Sequence, residues 1–328
     1  MAKKDLSSPP GPIVLTVDIL YAGRRLDKFV AHRLPNWSRT LIQKKIRSDE
    51  ILRNNGAAKP NDLLRAGDKV IIKPEAPEVD LSLIPLRILY EDDYFIAVDK
   101  EPNILVHPAG RQTFGTLINV LHFHYKKLGN ESVTPLLCHR LDRETSGVLL
   151  VAKNALARRF MQSEFEEGRV RKEYIAVAEG IVSEDSGIID RTLRKAKTTL
   201  SEKPRMEVNS ACGQRSTTEF TVLERFEPAS ESPKSGATLL SVTPRTGRTH
   251  QIRAHLAYIG HPVLCDKVYG TVKNVSCGAQ VLLSRQALHS HKISFNHPTD
   301  GEKTIISPLP ADIAGALRAL REQAEKIS

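Results

Sequence analysis

The sequence predicts an α+β protein in which a larger domain built on a mostly antiparallel sheet follows a small N-terminal α/β module. Three observations carry this. From Leu86 onward, candidate strands outnumber candidate helices and do not alternate with them in βαβ order. Between Arg24 and Pro74, two short amphipathic helices precede a small β element. A proline- and acid-rich stretch without periodicity, Lys73 to Pro85, separates the two. The expected boundaries are residues 14–76 for the module, 77–86 for a linker and 87–328 for the larger domain.

In the module, Leu26, Phe29, Val30 and Leu34 mark one face of a helix that ends at Pro35. Ser38 is placed to cap a second helix with Leu41, Ile42 and Ile46 on its apolar face. Arg39, Gln43, Lys44, Lys45 and Arg47 are assigned to the opposite face. Ile51–Arg53, a turn at Asn54-Asn55-Gly56 and a strand over Asp68 to Lys73 complete the β element. In the larger domain the strands expected are 87–90, 94–99, 148–152, 173–178, 217–223 and 239–243. The helices are 116–128, 155–167, 249–259 and 311–327.

At 328 residues, 40% hydrophobic and 26% charged, the chain has room for about two domains and a sizeable core. No apolar run approaches the ~18 residues that span a bilayer. Ser-Ser-Pro-Pro follows the basic start where a signal peptide needs its apolar core, so a cytoplasmic protein is expected. Cys138, Cys212, Cys265 and Cys277 form no Cys-x-x-Cys pair, which speaks against a zinc ribbon or a disulfide framework. The eleven histidines include no His-Glu-x-x-His spacing, and no metal is expected. No self-association face stands out, so a monomer is expected.

The net charge of +10 points to a polyanionic partner, most simply nucleic acid. Half of it lies in the first 80 residues, with 15 Lys or Arg against 10 Asp or Glu. A run of charge on a helix is usually a solvated face. Here the basic residues recur on one helix of a net-positive module, which favours contact with RNA phosphates through Arg39, Lys44, Lys45 and Arg47. Over about fifty residues the module resembles the small RNA-binding domain first described in the fourth ribosomal small-subunit protein.

Three segments of the larger domain hold residues suited to chemistry. The first is "LLCHRLDRETSGVLLVAKN", Leu136 to Asn154, with Asp142 between Arg140 and Arg143. The second is "VRKEYIAVAEG", where Tyr174 opens a strand behind Arg171 and Lys172. In the third, Ser241 to Gly270, a strand ends at Thr243 and a helix starting near Thr249 carries Arg253 in its first turn or so. Taken singly, each has an ordinary structural meaning: an ion pair, a packed tyrosine, a positive helix start.

Together, and in this order, they resemble the ribosomal large-subunit branch of the pseudouridine synthases. The matching motifs are His139-Arg140-Leu141-Asp142 with Thr145-Ser146-Gly147, then Lys172-Glu173-Tyr174, then Thr246 to Arg253 with Gly260-His261-Pro262. Leu288-His289 and Phe295-Asn296-His297-Pro298 also fit. The resemblance departs at Cys265, where the family usually has glycine, and over Arg191 to Arg215, a stretch with seven Lys or Arg read as a mobile basic loop facing RNA.

The resemblance implies isomerisation of uridine to pseudouridine within RNA. The bond from ribose C1′ to N1 breaks, the base turns, and a C1′–C5 bond forms. Nothing is oxidised or hydrolysed overall, so no cofactor is expected. Asp142 becomes the reactive carboxylate, acting on the ribose, the base or a sugar proton. Arg253 is its ion-pair partner. Tyr174 stacks on the target base and can act as general base at C5. Leu288 lines the base pocket, Arg248 and His250 contact the substrate, and Arg140 fills the space left by the flipped nucleotide or holds a phosphate. The RNA is expected to be ribosomal, with transfer RNA as the alternative. A protein kinase is excluded because its loop reads His-Arg-Asp-Leu, and a glycosidase because no second, opposing acid is marked. The rival from another class is a non-catalytic RNA-binding or ribosome-assembly factor, which an altered Asp, Tyr or Arg would have favoured. All three residues are present.

Overall fold

The computed structural model describes residues 6–35, 37–73, 79–109, 112–130, 132–196, 205–209, 212–227 and 236–325. They form two compact units. The smaller comprises the residues up to Asp80 together with Pro108–Gly115; the larger runs over Leu81–His107 and from Thr116 onward.

In the smaller unit, β1 (Ile13–Thr16), β2 (Ile51–Arg53) and β3 (Lys69–Ile72) form an antiparallel sheet in the order β1-β3-β2. Helices α1 (Leu26–Arg33) and α2 (Arg39–Arg47) close a core of Leu26, Phe29, Val30, Ile42, Ile46, Ile51, Val70 and Ile72. The Ser38 hydroxyl accepts the Leu41 N–H at 3.2 Å, satisfying one orphan donor of α2. Asn54 and Asn55 both take left-handed backbone, a conformation asparagine tolerates in tight turns.

The basic face of α2 needs one correction. Lys45 is not on it: the side chain is buried, its ammonium lies 2.5 Å from Glu50 Oε2, and it sits over the Trp37 ring. Position 45 stands three and four residues from Ile42 and Leu41, so its stem follows the apolar stripe. Lys44 and Arg47 are exposed. Arg39 is half-exposed and donates to Asp27, a fully buried carboxylate that Arg25 and Gln43 also hold. Burial would raise the Asp27 pKa, but these donors outweigh it and bring it down to about 2.

The expected linker does not run through as open chain. Residues 74–78 lie outside the described residues, and Leu81–Leu83 forms a 3₁₀ turn with Leu81 buried in the larger unit. Leu81, buried, and Ile84, partly buried, give this stretch something to bury, while Leu83 stays exposed.

The larger unit is organised by one long sheet. Its strands are β4 (Arg87–Glu91), β5 (Phe95–Lys100), β6 (Leu136–Leu137), β7 (Ser146–Ala152), β8 (Arg171–Glu179) and β9 (Ser186–Asp190). After a separate hairpin of β10 (Leu193–Lys195) and β11 (Met206–Val208) come β12 (Thr217–Phe226) and β13 (Ala237–Pro244). A second hairpin, β14 (Val275–Cys277) and β15 (Gln280–Leu283), precedes β16 (Leu288–His297) and β17 (Gly301–Ile306). The sheet order is β4-β5-β7-β16-β8-β13-β12-β9, with β6 on β7 and β17 on β16. Every pairing described in it is antiparallel except β7 with β16.

Helices α3 (Leu117–Lys127), α4 (Ala155–Glu166), α5 (Gln251–Tyr258) and α6 (Ala311–Glu325) pack around the sheet. Side chains of β7 alternate between two cores, Leu149 and Val151 on one side and Val148 and Leu150 on the other. That accounts for its unbroken apolar run, since a strand covered on both faces has no polar side. No helix among the described residues is long and apolar enough to cross a membrane.

The β7–β16 junction depends on Gly147. Its φ is +111°, and a Cβ there would run into the Ser290 backbone. The stretch Arg191 to Arg215, expected as a mobile loop, contains β10 and β11 instead; residues 197–204 and 210–211 lie outside the described residues. Arg194 pairs with Glu207 across that hairpin at 2.6 Å, so part of the basic charge is spent within the protein.

Candidate active site

Asp142 lies in the connection between β6 and β7, just before the chain enters the sheet. Its loop is fixed from behind. Lys100 Nζ donates to the carbonyls of Glu101, Ile104 and Arg143 at 2.8, 3.0 and 3.1 Å. Arg285 donates to the Glu144 carbonyl and the Ser146 hydroxyl, and is held by Asp312 of α6 at 2.6 and 2.9 Å. Gln286 donates to the Thr145 hydroxyl at 2.6 Å. These buried groups satisfy backbone acceptors that would otherwise be stranded. Burial pushes the Lys100 ammonium down to about 7.

Arg253 reaches Asp142 from the first turn of α5. Its Nη1 lies 2.8 Å from Asp142 Oδ2. Its Nε and Nη2 grip Asp266 at 2.6 and 2.9 Å, a bidentate pair. One buried guanidinium therefore serves two carboxylates. Burial works against the charge on Arg253, but the two carboxylates hold it firmly protonated. Burial likewise raises Asp266, and the Arg253 bonds together with the N–H groups of Val268 and Tyr269 bring it below the ordinary aspartate range. Asp266 follows Cys265, whose φ of +60° lies in the left-handed region. That explains the glycine usual there in the resembling family: a Cβ in this conformation carries a backbone cost.

The turn before α5 is built as tightly. Gln251 Oε1 accepts from the Thr246 hydroxyl at 2.7 Å and the Arg248 N–H at 3.0 Å, while its Nε2 donates to the Thr217 carbonyl and the Thr218 hydroxyl. His250, with φ of +51°, caps the helix and lies 3.1 Å from the Tyr269 hydroxyl and 3.9 Å from Asp142 Oδ2. Burial lowers its pKa. The Tyr269 ring lies under the Arg253 guanidinium, 5.3 Å from centroid to Cζ.

Tyr174 projects from β8 beside its ladder neighbours Val242 and Ser290. Its pKa is raised, first by burial and then by the charge of Asp142, so the phenol is neutral at physiological pH. Leu288, at the start of β16, is buried next to it in the ladder. Arg140 is exposed at the rim and donates to the Thr249 hydroxyl at 3.3 Å. Arg248 is exposed as well.

All seven residues singled out in this unit, Asp142, Tyr174, Arg253, Arg140, Leu288, Arg248 and His250, line one cleft of about 460 Å³. Among its lining residues Asp142 is the single carboxylate. Sequence reasoning missed Asp266, Gln251, Arg285 and Tyr269, whose roles depend on partners brought together only by the fold. Asp266 sits within the third motif segment, so its nearness to Arg253 was the available signal. Among the described residues there is no cluster of His, Cys, Asp and Glu arranged to hold a metal.

The family model for RNA pseudouridylate synthase matches residues 94–258, and that for the S4 domain matches residues 24–70. An uncharacterized RNA pseudouridine synthase of Bacillus subtilis is 36% identical, the alignment covering 91% of this chain and 94% of the relative. The ribosomal large subunit pseudouridine synthase D of Neisseria meningitidis serogroup B is 35% identical over 95% of this chain and 83% of its own length. Among solved structures, human RNA pseudouridylate synthase domain containing 1 superposes with a TM-score of 0.55 at 26% identity, covering 75% of this chain and 98% of the human one. With its front S4 domain and its cleft around Asp142, the chain belongs to the RNA pseudouridine synthases.

Proposed function

We propose that the protein isomerises a uridine of large-subunit ribosomal RNA, with Asp142 as the reactive carboxylate. The observation that carries this is the cleft itself: its one lining carboxylate is held by a doubly anchored arginine, and a buried aromatic ring stands beside it. An isomerisation within one nucleotide needs an ionised acid at the sugar and a surface for the detached base. Arg253 supplies the fixed positive charge that favours the ionised acid.

Tyr174 contributes its ring rather than its oxygen. A buried phenol next to a carboxylate keeps its proton in the resting site. Leu288 closes the apolar side of the base site. Arg140, Arg248 and His250 contact the substrate from the rim and the helix start, with Arg140 taking the space of the extruded nucleotide.

Ribosomal RNA as the substrate is supported by relatives named for the large subunit at about 35% identity over most of the chain. Lys44, Arg47 and Arg39 on α2 would meet its phosphates, with Arg25 and Lys59 bordering a neighbouring depression. A ribosomal substrate goes with the cytoplasm, and a cleft completed by one chain goes with a monomer. The test is pseudouridine-specific mapping of ribosomal and transfer RNA from cells carrying the wild type or Asp142→Ala. Loss of signal at one or a few large-subunit uridines is expected. An unchanged map would overturn the reading, and loss confined to transfer RNA would move the substrate.

A further inference from the structure

Lys172 is the one cleft residue whose charge the site does not use. It stands two residues before Tyr174 on β8, hence on the same face of the strand. The residue is only 8% exposed. Among the described residues its ammonium has neither an ion-pair nor a hydrogen-bond partner, and it lies 5.6 Å from the centroid of the Phe165 ring. Such an arrangement is costly, because a buried cation is ordinarily paired. Burial alone pushes it down to about 8.

Its surroundings indicate what it awaits. Lys172 lies on the wall shared by the active-site cleft and a longer groove of about 1330 Å³ that runs past the end of α4. Two carboxylates line that groove, and both are engaged elsewhere: Asp142 by Arg253, and Glu166 by the Gln162 amide at 2.9 Å. Gly247 stands beside the ammonium: a methyl group there would touch Nζ at 3.6 Å, and the bare glycine leaves that side of it uncovered. Arg140 and Arg248 make the rim cationic, while Arg245 is paired with Glu219. The missing anion has to come from outside the protein, and along a groove leading to the base site an RNA strand carries one at every step.

We propose that Lys172 is a phosphodiester-binding residue that grips the backbone of the RNA strand beside the target uridine. This rests on the reaction proposed above. The grip differs from the surface contacts of the S4 domain because it is made in a desolvated site next to the reacting nucleotide. It therefore positions that nucleotide as well as adding affinity.

The experiment uses the full-length protein and a stem-loop RNA containing the mapped uridine. The phosphate on each side of that uridine is replaced in turn by a neutral methylphosphonate. Lys172→Met keeps an unbranched stem without the charge, and Lys172→Arg keeps the charge. The Met variant should bind the unmodified RNA roughly tenfold more weakly, with a salt-dependence slope smaller by about 0.7 to 0.9, one phosphate contact. One methylphosphonate should cost the wild type about as much and cost the Met variant nothing further, and the Arg variant should recover most of the binding. Equal methylphosphonate losses in wild type and Met variant, or an unchanged salt slope, would overturn the proposal. If the Met variant does not fold, the wild-type scan decides: a loss concentrated at one position supports the grip, and a flat scan removes it. Should wild-type protein bind this RNA without converting the uridine, the proposed reaction fails, while the binding comparison still judges Lys172.

Discussion

Replacing Asp266 with asparagine tests how the reactive carboxylate is held. The side chain keeps its shape, and its oxygen can still accept from the Val268 and Tyr269 N–H groups, now at 2.8 and 3.2 Å. What disappears is the negative charge facing Arg253 and the Oδ2 acceptor of its Nε at 2.6 Å, because the amide nitrogen in that place only donates. Breaking a buried ion pair by removing one partner costs about 3–5 kcal/mol. Asp142 remains on Arg253 and the isosteric oxygen remains in place, so the lower end, about 3 kcal/mol, is expected. The released guanidinium nitrogens would then compete for Asp142, and turnover should fall at least tenfold while RNA affinity changes less than threefold.

The single tryptophan, Trp37, lies in the smaller unit, so urea unfolding of the larger unit should be followed by circular dichroism. The pH dependence has a definite sign. Asp266 is depressed in the folded state, so its contribution is complete above the unfolded value of 3.8 and is lost as pH falls through the lower folded value. Wild type should therefore lose more stability than Asp266→Asn below about pH 4. A variant within about 0.5 kcal/mol of wild type and fully active would refute the view that Asp266 anchors the pair.

Three further outcomes are expected. Tyr174→Phe should keep turnover within about tenfold and leave the shape of the pH–rate profile unchanged, because the neutral phenol lends only its ring; Tyr174→Leu should lose far more, and a large defect confined to Phe would restore the hydroxyl to the chemistry. Cys265→Gly should stay within about 1 kcal/mol of wild type in urea, since relief of the left-handed backbone offsets the lost buried side chain, whereas Cys265→Val should cost about 2 kcal/mol or more; equal behaviour of the two would mean that backbone conformation is not limiting there. His139 is partly buried, with its Nδ1 shut off from solvent and its Nε2 accepting the Leu150 N–H, and burial brings its pKa down to about 3, so the unfolded chain takes up a proton below 6.5 that the native state refuses. Stability should decline by about 1.4 kcal/mol per pH unit from that residue between pH 6.5 and 3, and His139→Gln should flatten the decline between pH 6 and 5; parallel curves for both proteins would remove His139 as its source.

How far the sequence could be read depended on whether partners were neighbours in the chain. The Asp142, Tyr174 and Arg253 segments are short contiguous motifs, and each end of the proposed chemistry falls inside one of them. In the larger unit β4, β5, β7, β8, β12 and β13 announced themselves by β-branched or apolar runs, while the short β6, β9, β10 and β11 did not. Strand β16 did not: "LHSHKISFNH" places polar residues on both faces, because His289 and Ser290 are buried against the Ser146 hydroxyl and the Val148 carbonyl. Its alternation is chemical rather than hydrophobic, and only the neighbouring strand makes it sensible. The assignment of Lys45 to the basic face of its helix failed for a related reason, since a lysine whose stem lies along an apolar stripe looks solvent-facing by composition alone. Asp266, Arg285 and Gln286 act across the fold on residues 13 to 141 positions away, and no local pattern marks them.

The central junction bears on when the enzyme can exist during its own synthesis. Strand β16 separates β7 from β8, so the part bearing Asp142 and the part bearing Tyr174 are joined by a strand synthesised after both. A nascent chain that has already exposed its S4 domain, and even its Asp-Arg pair, still lacks Leu288 and the strand that sets the distance between the two half-sheets. Arg285 and its Asp312 partner come at the same late stage. Translation thus works as a timer. The module that can hold RNA is made before the strand that closes the cleft able to alter it.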